Sequence, residues 1–312
     1  MNLALDVIQA LLLVAIAPLV RGVVARVKAR IQNRRGASVW RPYADLLKLF
    51  RKQDLVPETA SGLFRLAPVI LFAVTVTAAA FIPVLHPSAL FGAGGDFILL
   101  VYLLAIGRFF LMLGAMDGGS SFGGMGASRE ALVSALAEAP LLLALVSVAI
   151  LAHTVTMSGI VLSTVRQNPL HLSAVYGFAL GAMILVAIAE TGRIPVDNPA
   201  THLELTMIHE AMVLEYSGPS LALIEWANAV KLALIMAMLV GVFAPWGMAT
   251  STSIAALVLA PLAFVFKLAV LAVAIAVIET SMAKLRMYLV PDFLGMASAL
   301  AILAVAFTAL MR

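Results

Sequence analysis

Apolar residues along this chain come in runs of about 20, long enough for one helix to cross a hydrocarbon core, and the polar residues collect in the gaps between them. Eight runs occur, roughly at residues 3–24, 66–85, 97–116, 131–152, 174–189, 221–242, 254–278 and 293–310. The pattern predicts an all-α polytopic membrane protein with about eight transmembrane helices, folded as a single membrane domain over 1–312. An even number of spans puts both termini on one side. Lys and Arg crowd the first gap, from Arg21 to Arg65, and recur at Lys284 and Arg286 in the seventh, whereas the opposite face offers Arg166 and the terminal Arg312. The positive-inside rule therefore puts both termini on the non-cytoplasmic side, with the connections at about 25–65, 117–130, 190–220 and 281–292 in the cytoplasm. The first run has no basic leader and reads as an uncleaved span rather than a signal peptide.

Three of these connections have a character of their own. In the first, residues 43–50 have helical periodicity, with Leu46, Leu47 and Phe50 on one side and Asp45 and Lys48 on others. That spacing predicts an interfacial amphipathic helix, serving either to lie on the membrane or to dock a partner. The second, Asp117 to Glu130, is rich in glycine but has neither G-x-G-x-x-G spacing nor a G-K-[S/T] ending, so it is no phosphate cradle. Its glycines predict a tight loop or a close helix approach, and Ser128 is placed to cap the next helix. The third, Glu190 to Gly218, breaks at Pro195 and Pro199. It resumes as a helix from about Thr201 to Tyr216, too polar with Glu204, Glu210 and Glu215 to cross a bilayer.

Composition narrows the chemistry. Charged residues are 12% of the chain, against roughly 25% in soluble domains. With no cysteine, the chain itself can hold no disulfide, iron–sulfur cluster or thiolate metal site. The net charge of +4 is mostly sidedness. It fits anionic lipid or an acidic docking partner, not nucleic acid, for which no binding fold is recognisable.

Seven ionisable residues fall inside or at the ends of the runs: Asp6, Arg108, Glu138, Glu190, Lys231, Lys267 and Glu279. A charge at a helix centre costs roughly 2.5 to 3.5 kcal/mol even on insertion scales, so each needs a partner, a wet cavity or protonation. Asp6 and Glu279 lie near run ends, where a structural ion pair or a snorkelling side chain suffices. Arg108, Lys231 and Lys267 predict a buried polar network. A proton path needs buried carboxylates in series; Glu138 and Glu190 fit, and Glu204, Glu210 and Glu215 can extend the line. Their spacings of six and five stagger them around a helix, which suits bridging elements better than chelating one ion. Among the histidines, His209-Glu210 lacks the second histidine of H-E-x-x-H, so a zinc protease site is rejected. His202 and His209 share a helix face, as proton relays or as hydrogen-bonded structural groups, while His86, His153 and His171 are isolated.

These residues resemble a known family. Glu190-x-x-Arg193-x-Pro195-x-Asp197, then Glu204-Leu205 and Glu215-Tyr216-Ser217-Gly218, is similar to the membrane subunit beside the quinone cavity of respiratory complex I. The same pattern marks its relatives in membrane-bound [NiFe] hydrogenases and formate hydrogenlyase. Arg34-Arg35-Gly36, the run Pro42 to Phe50, and Ala127-Ser128-Arg129 with Glu138-Ala139-Pro140 extend the resemblance over the cytoplasmic loops. Val196, Ala200, His202, Ala37, Val133 and Ala137 stand where quinone-reducing members usually have other residues, and Asn198 to His202 resembles the hydrogenase branch. The resemblance implies a subunit without a cofactor of its own, in the cytoplasmic membrane of a prokaryote. It would anchor a hydrophilic arm carrying iron–sulfur clusters and a nickel–iron site, beside antiporter-like membrane subunits. By motif position, Glu138, Glu190, Arg193, Asp197, Glu204, Glu210 and Glu215 are coupling or proton-path residues, with Arg193 as counter-charge to Glu190 or Asp197. Arg34, Arg35 and Asp45 face the redox arm.

The leading expectation is therefore a membrane-arm subunit coupling electron transfer to proton or sodium translocation, and the nearest rival a quinone-site subunit. A stand-alone transporter or an intramembrane prenyltransferase is disfavoured, since the chain carries no inverted repeat and no D-D-x-x-D motif.

Overall fold

The computed structural model describes residues 3–92, 94, 96–166, 174–198, 207–250 and 253–310. Within them the regular elements are helices: α1 (Leu3–Ile31), α2 (Arg41–Phe50), α3 (Gly62–Ala79), α4 (Phe97–Asp117), α5 (Ser121–Ala152), α6 (Met157–Arg166), α7 (Ala174–Glu190), α8 (His209–Val213), α9 (Gly218–Phe243), α10 (Ile254–Ser281) and α11 (Val290–Leu310). Seven of them, α1, α3, α4, α5, α9, α10 and α11, are long and apolar enough to cross a membrane among the described residues, and α7 is a shorter apolar helix. Every apolar run of the sequence is thus a helix of a multi-span membrane protein.

The axis of the bundle is α9. In its most apolar stretch 78% of residues are buried, against 22% in α10, which packs mainly on α1. Around α9 sit α1, α2, α3 and α7, while α5, α7 and α11 form a second packed group and α3 pairs with α4. Helix ends are tied to one another rather than left to water. Asp117, at the end of α4, accepts from the backbone N–H groups of Ser61 and Phe64 and from the Ser61 hydroxyl, fixing the start of α3.

Several expectations change. The glycine-rich segment is not a loop: α5 begins at Ser121, Ser120 caps it by accepting from the Gly123 N–H, and Ser128 lies inside the helix, donating to the Met125 carbonyl. The glycines allow contact. A Cβ on Gly126 would lie 2.9 Å from the Ala211 Cβ and 3.0 Å from the Ile208 carbonyl oxygen, so α8 rests on bare α5 backbone. Within the described residues 207–216 of the helix expected over 201–216, α8 is observed, with the Asp197 carboxylate accepting from the Ile208 and His209 N–H groups at its start. Residues 199–206 lie outside the described set. The amphipathic α2 forms as expected, yet Leu46 turns inward while Leu47 is 60% exposed. Helix α6, amphipathic and too short to span, has no counterpart among the expected runs.

Candidate functional site

A cavity of about 430 Å³ opens where the ends of α1, α7 and α10 and the middle stretches of α4 and α9 meet the 191–197 segment and α8. Each element contributes for a local reason. Helix α1 presents Arg21, Ala25, Lys28 and Gln32, spaced four, three and four residues apart so that they share one face. Helix α9 adds Glu225, Asn228 and Lys231 from its first half. Helix α7 ends on Glu190, and the chain then turns at Gly192, whose φ of +57° favours glycine.

Arg108, 6% exposed on α4, is the central cation, paired with Glu190 and with Glu138 on α5. The Lys231 ammonium lies 2.9 Å from the other Glu190 oxygen, an ion pair offset from hydrogen-bond alignment. Glu190 thus joins α4, α7 and α9, and through Arg108 α5 as well. On the opposite wall Glu279 of α10 accepts from Lys28 at 2.9 Å and from Arg193 at 2.8 Å. Asp197, 3% exposed, pairs with Lys284 at 2.7 Å and accepts from the backbone N–H groups that open α8. Arg129 donates to the Met207 carbonyl, and His209 meets the Asn228 amide at 2.7 Å.

The anticipated residues divide. Glu138, Glu190, Arg108 and Lys231 form one ion-paired group. Arg193 and Asp197 are close by, but Arg193 pairs with Glu279 rather than with Glu190 or Asp197, both of which have other cations. Glu210 lines the cavity; Glu215 is exposed; Glu204 and His202 fall outside the described residues. Lys267 does not join the network. Its ammonium donates to the Ala244 and Trp246 carbonyls, closing the open end of α9, where a cation is favoured. Arg34 and Arg35 are exposed at the end of α1, with Arg34 on the cavity rim, and Asp45 pairs with Arg41 on α2.

Five ionisable members were not anticipated as site residues: Lys28, Glu225, Glu279, Arg21 and Glu130. The first two carried a signal in sequence, as polar positions sharing one face of an otherwise apolar helix. Arg21 and Glu225 are ion-paired where this cavity abuts a second one of about 410 Å³ beneath α2. Of the acids lining the first cavity, Glu210 and Glu130 form no ion pair among the described residues. Burial pushes the Glu210 carboxyl above the ordinary range, outweighing the neighbouring His209. Such a group holds its proton to higher pH. Among the described residues no three His, Asp or Glu groups converge as metal ligands.

Comparisons with known proteins identify relatives of this chain. The chain is 37% identical over 291 residues to formate hydrogenlyase subunit 4 of Escherichia coli (strain K12), covering 93% of this chain and 94% of the relative. It is 33% identical over 298 residues to hydrogenase-4 component C of the same organism, covering 95% and 92%. Its fold matches, with a TM-score of 0.81 at 22% identity, a chain of the membrane-bound sulfane sulfur reductase, an archaeal respiratory membrane complex, over 97% of this chain and 99% of that one. The NADH dehydrogenase family matches residues 4–310, and the chain belongs to that family.

Proposed function

We propose that this chain is the membrane-arm subunit of a complex I-like hydrogenase or formate-hydrogenlyase type complex in a prokaryotic cytoplasmic membrane. Its basic α1–α2 connection, with Arg34, Arg35 and Asp45, seats a hydrophilic arm that carries the iron–sulfur clusters and the nickel–iron site. Its acids pass the redox change to antiporter-like membrane subunits as proton or sodium movement. The observation that carries the reading is the cavity itself: six cations, Arg21, Lys28, Arg34, Arg108, Arg193 and Lys231, face six acids, Glu130, Glu190, Asp197, Glu210, Glu225 and Glu279. A space of this size with charged groups of both signs on its wall has room and partners for water. Glu190, Asp197, Glu225 and Glu279 are each held by a cation, and Glu210, without an ion pair among the described residues and pushed toward protonation by burial, is the group suited to load and release a proton.

Coupled activity in sealed vesicles tests it. Glu210→Gln and Glu190→Gln are expected to leave the complex assembled while abolishing the ion gradient formed per electron transferred; an undiminished gradient in both variants contradicts the proposal. A quinone-site role is the second reading, favoured by the cavity beneath α2 with its apolar wall of Pro18, Leu46, Leu49, Val213 and Leu214. Quinone bound to the purified complex, in the absence of nickel, would decide for it.

A further inference from the structure

Glu279 lies near the end of α10 with its side chain 1% exposed, and its two oxygens are held by cations from two other elements. Lys28 comes from the last turn of α1, just before the exposed Arg34 and Arg35. Arg193 opens a turn whose Val196 and Asp197 N–H groups donate back to the Arg193 carbonyl at 2.8 and 3.1 Å. The segment after α10 fastens that turn twice more. The Leu285 N–H donates to the Pro195 carbonyl at 2.8 Å, and Lys284 holds Asp197. Asp197 in turn holds the first N–H groups of α8, and Glu210 follows directly. The contacts therefore run without a gap from the end of α1, through Glu279, to the acid of α8.

We infer that Glu279 is a positioning residue of the coupling site: it links the end of α1 that meets the redox arm to the turn that places Glu210. The inference rests on the functional reading above. An apolar contact would hold α1 and α10 together as well, because a buried ion bridge is no stronger than good apolar packing. What the charge adds is selectivity. Arg193 stands three residues after Glu190 and four before Asp197, so without Glu279 its guanidinium is released to two carboxylates that belong to other cations. Displacing Lys284 from Asp197 loosens the start of α8, and displacing Lys231 or Arg108 from Glu190 rearranges the opposite wall.

Because the chain has no cysteine, one introduced thiol reports on α8. Met212, 2% exposed, faces the cavity from that helix. In the intact complex, alkylation of Met212→Cys is read by peptide mass with and without Glu279→Gln, and again with Glu279→Asp as the conservative variant. Leu145→Cys, fully buried on α5, is the control. Glu279→Gln is expected to raise Met212→Cys alkylation about tenfold, the change a modest local opening gives, with Glu279→Asp restoring protection and Leu145→Cys unchanged. Unchanged alkylation at Met212→Cys, or a rise at both positions, overturns the inference. Should the single variant fail to assemble, Lys28→Met with Glu279→Gln removes a cation along with the anion and carries the same comparison. The gradient per electron, measured on the same vesicles, separates the two readings. Raised alkylation with an intact gradient keeps the linkage and defeats the coupling role; a diminished gradient with unchanged alkylation does the reverse.

Discussion

The two halves of α9 differ as sharply as any two regions of the molecule. From Glu225 to Lys231 the helix carries ionisable and amide side chains into the cavity, whereas from Ala233 to Val242 every residue is buried and apolar. Glu190 marks the boundary. On one side of it lies the cavity of about 430 Å³; on the other, among Leu100, Leu141, Met183, Ile235 and Met238, the free space is about 10 Å³, at or below the roughly 10–15 Å³ one water requires. Among the described residues the space beyond Glu190 is therefore too small to hold a water, so the cavity ends at this carboxylate on that side. One helix supplies both a wall of the cavity and the packed seal beyond it.

The seal is the more fragile half. Leu234→Asp places a carboxyl at a fully buried position of the apolar core, combining a deleted core leucine, about 2–5 kcal/mol, with a buried acid at roughly 2.5–3.5 kcal/mol. It is expected to prevent assembly, as seen by loss of the folded fraction in detergent chromatography. The wet half is more forgiving. Arg108→Leu strips Glu138 of its cation and leaves Glu190 with Lys231 alone, so a loss of about 3 kcal/mol is expected from a broken buried pair, measured as a lowered thermal midpoint.

The pH dependence sharpens the contrast further. With the Glu210 carboxyl raised by burial, its contribution to stability is full in acid and is lost as pH rises through the raised value. The wild type should therefore fall progressively behind Glu210→Gln in thermal midpoint as pH is increased, and parallel curves would contradict this. The smallest effect belongs outside both halves. Arg41→Ala removes an exposed i,i+4 partner of Asp45, with side chains 63% and 50% exposed, and should change stability by less than about 0.5 kcal/mol.

Much of this architecture was legible because hydrocarbon imposes one rule on every span: apolar length. All eight runs, the amphipathic α2 and the clustering of acids after Glu190 follow from it. The polar face of α1 was also written in the sequence, in the spacing of Arg21, Lys28 and Gln32. What local pattern could not supply was the pairing. Lys28 meets Glu279 across 251 positions and Arg108 meets Glu190 across 82, and nothing near Arg193 in sequence says that it will choose Glu279 over the two acids beside it. Lys267 was misjudged for a related reason. Its position within a span indicated burial, but the acceptors were backbone carbonyls at the end of another helix, which carry no residue signature. The glycines of α5 left a tight loop and a close helix approach open by composition; Gly126 gives the close approach, to α8, a choice set by the partner rather than by the segment.

The central claim is that Glu210 carries an exchangeable proton in a wet cavity whose other acids are mostly held by cations. Redox-triggered infrared difference spectroscopy of the intact complex tests it most directly. The account expects a protonated-carboxyl band that changes on turnover and disappears in Glu210→Gln while persisting in Glu215→Gln. A turnover-linked carboxyl band that survives Glu210→Gln unaltered would contradict it.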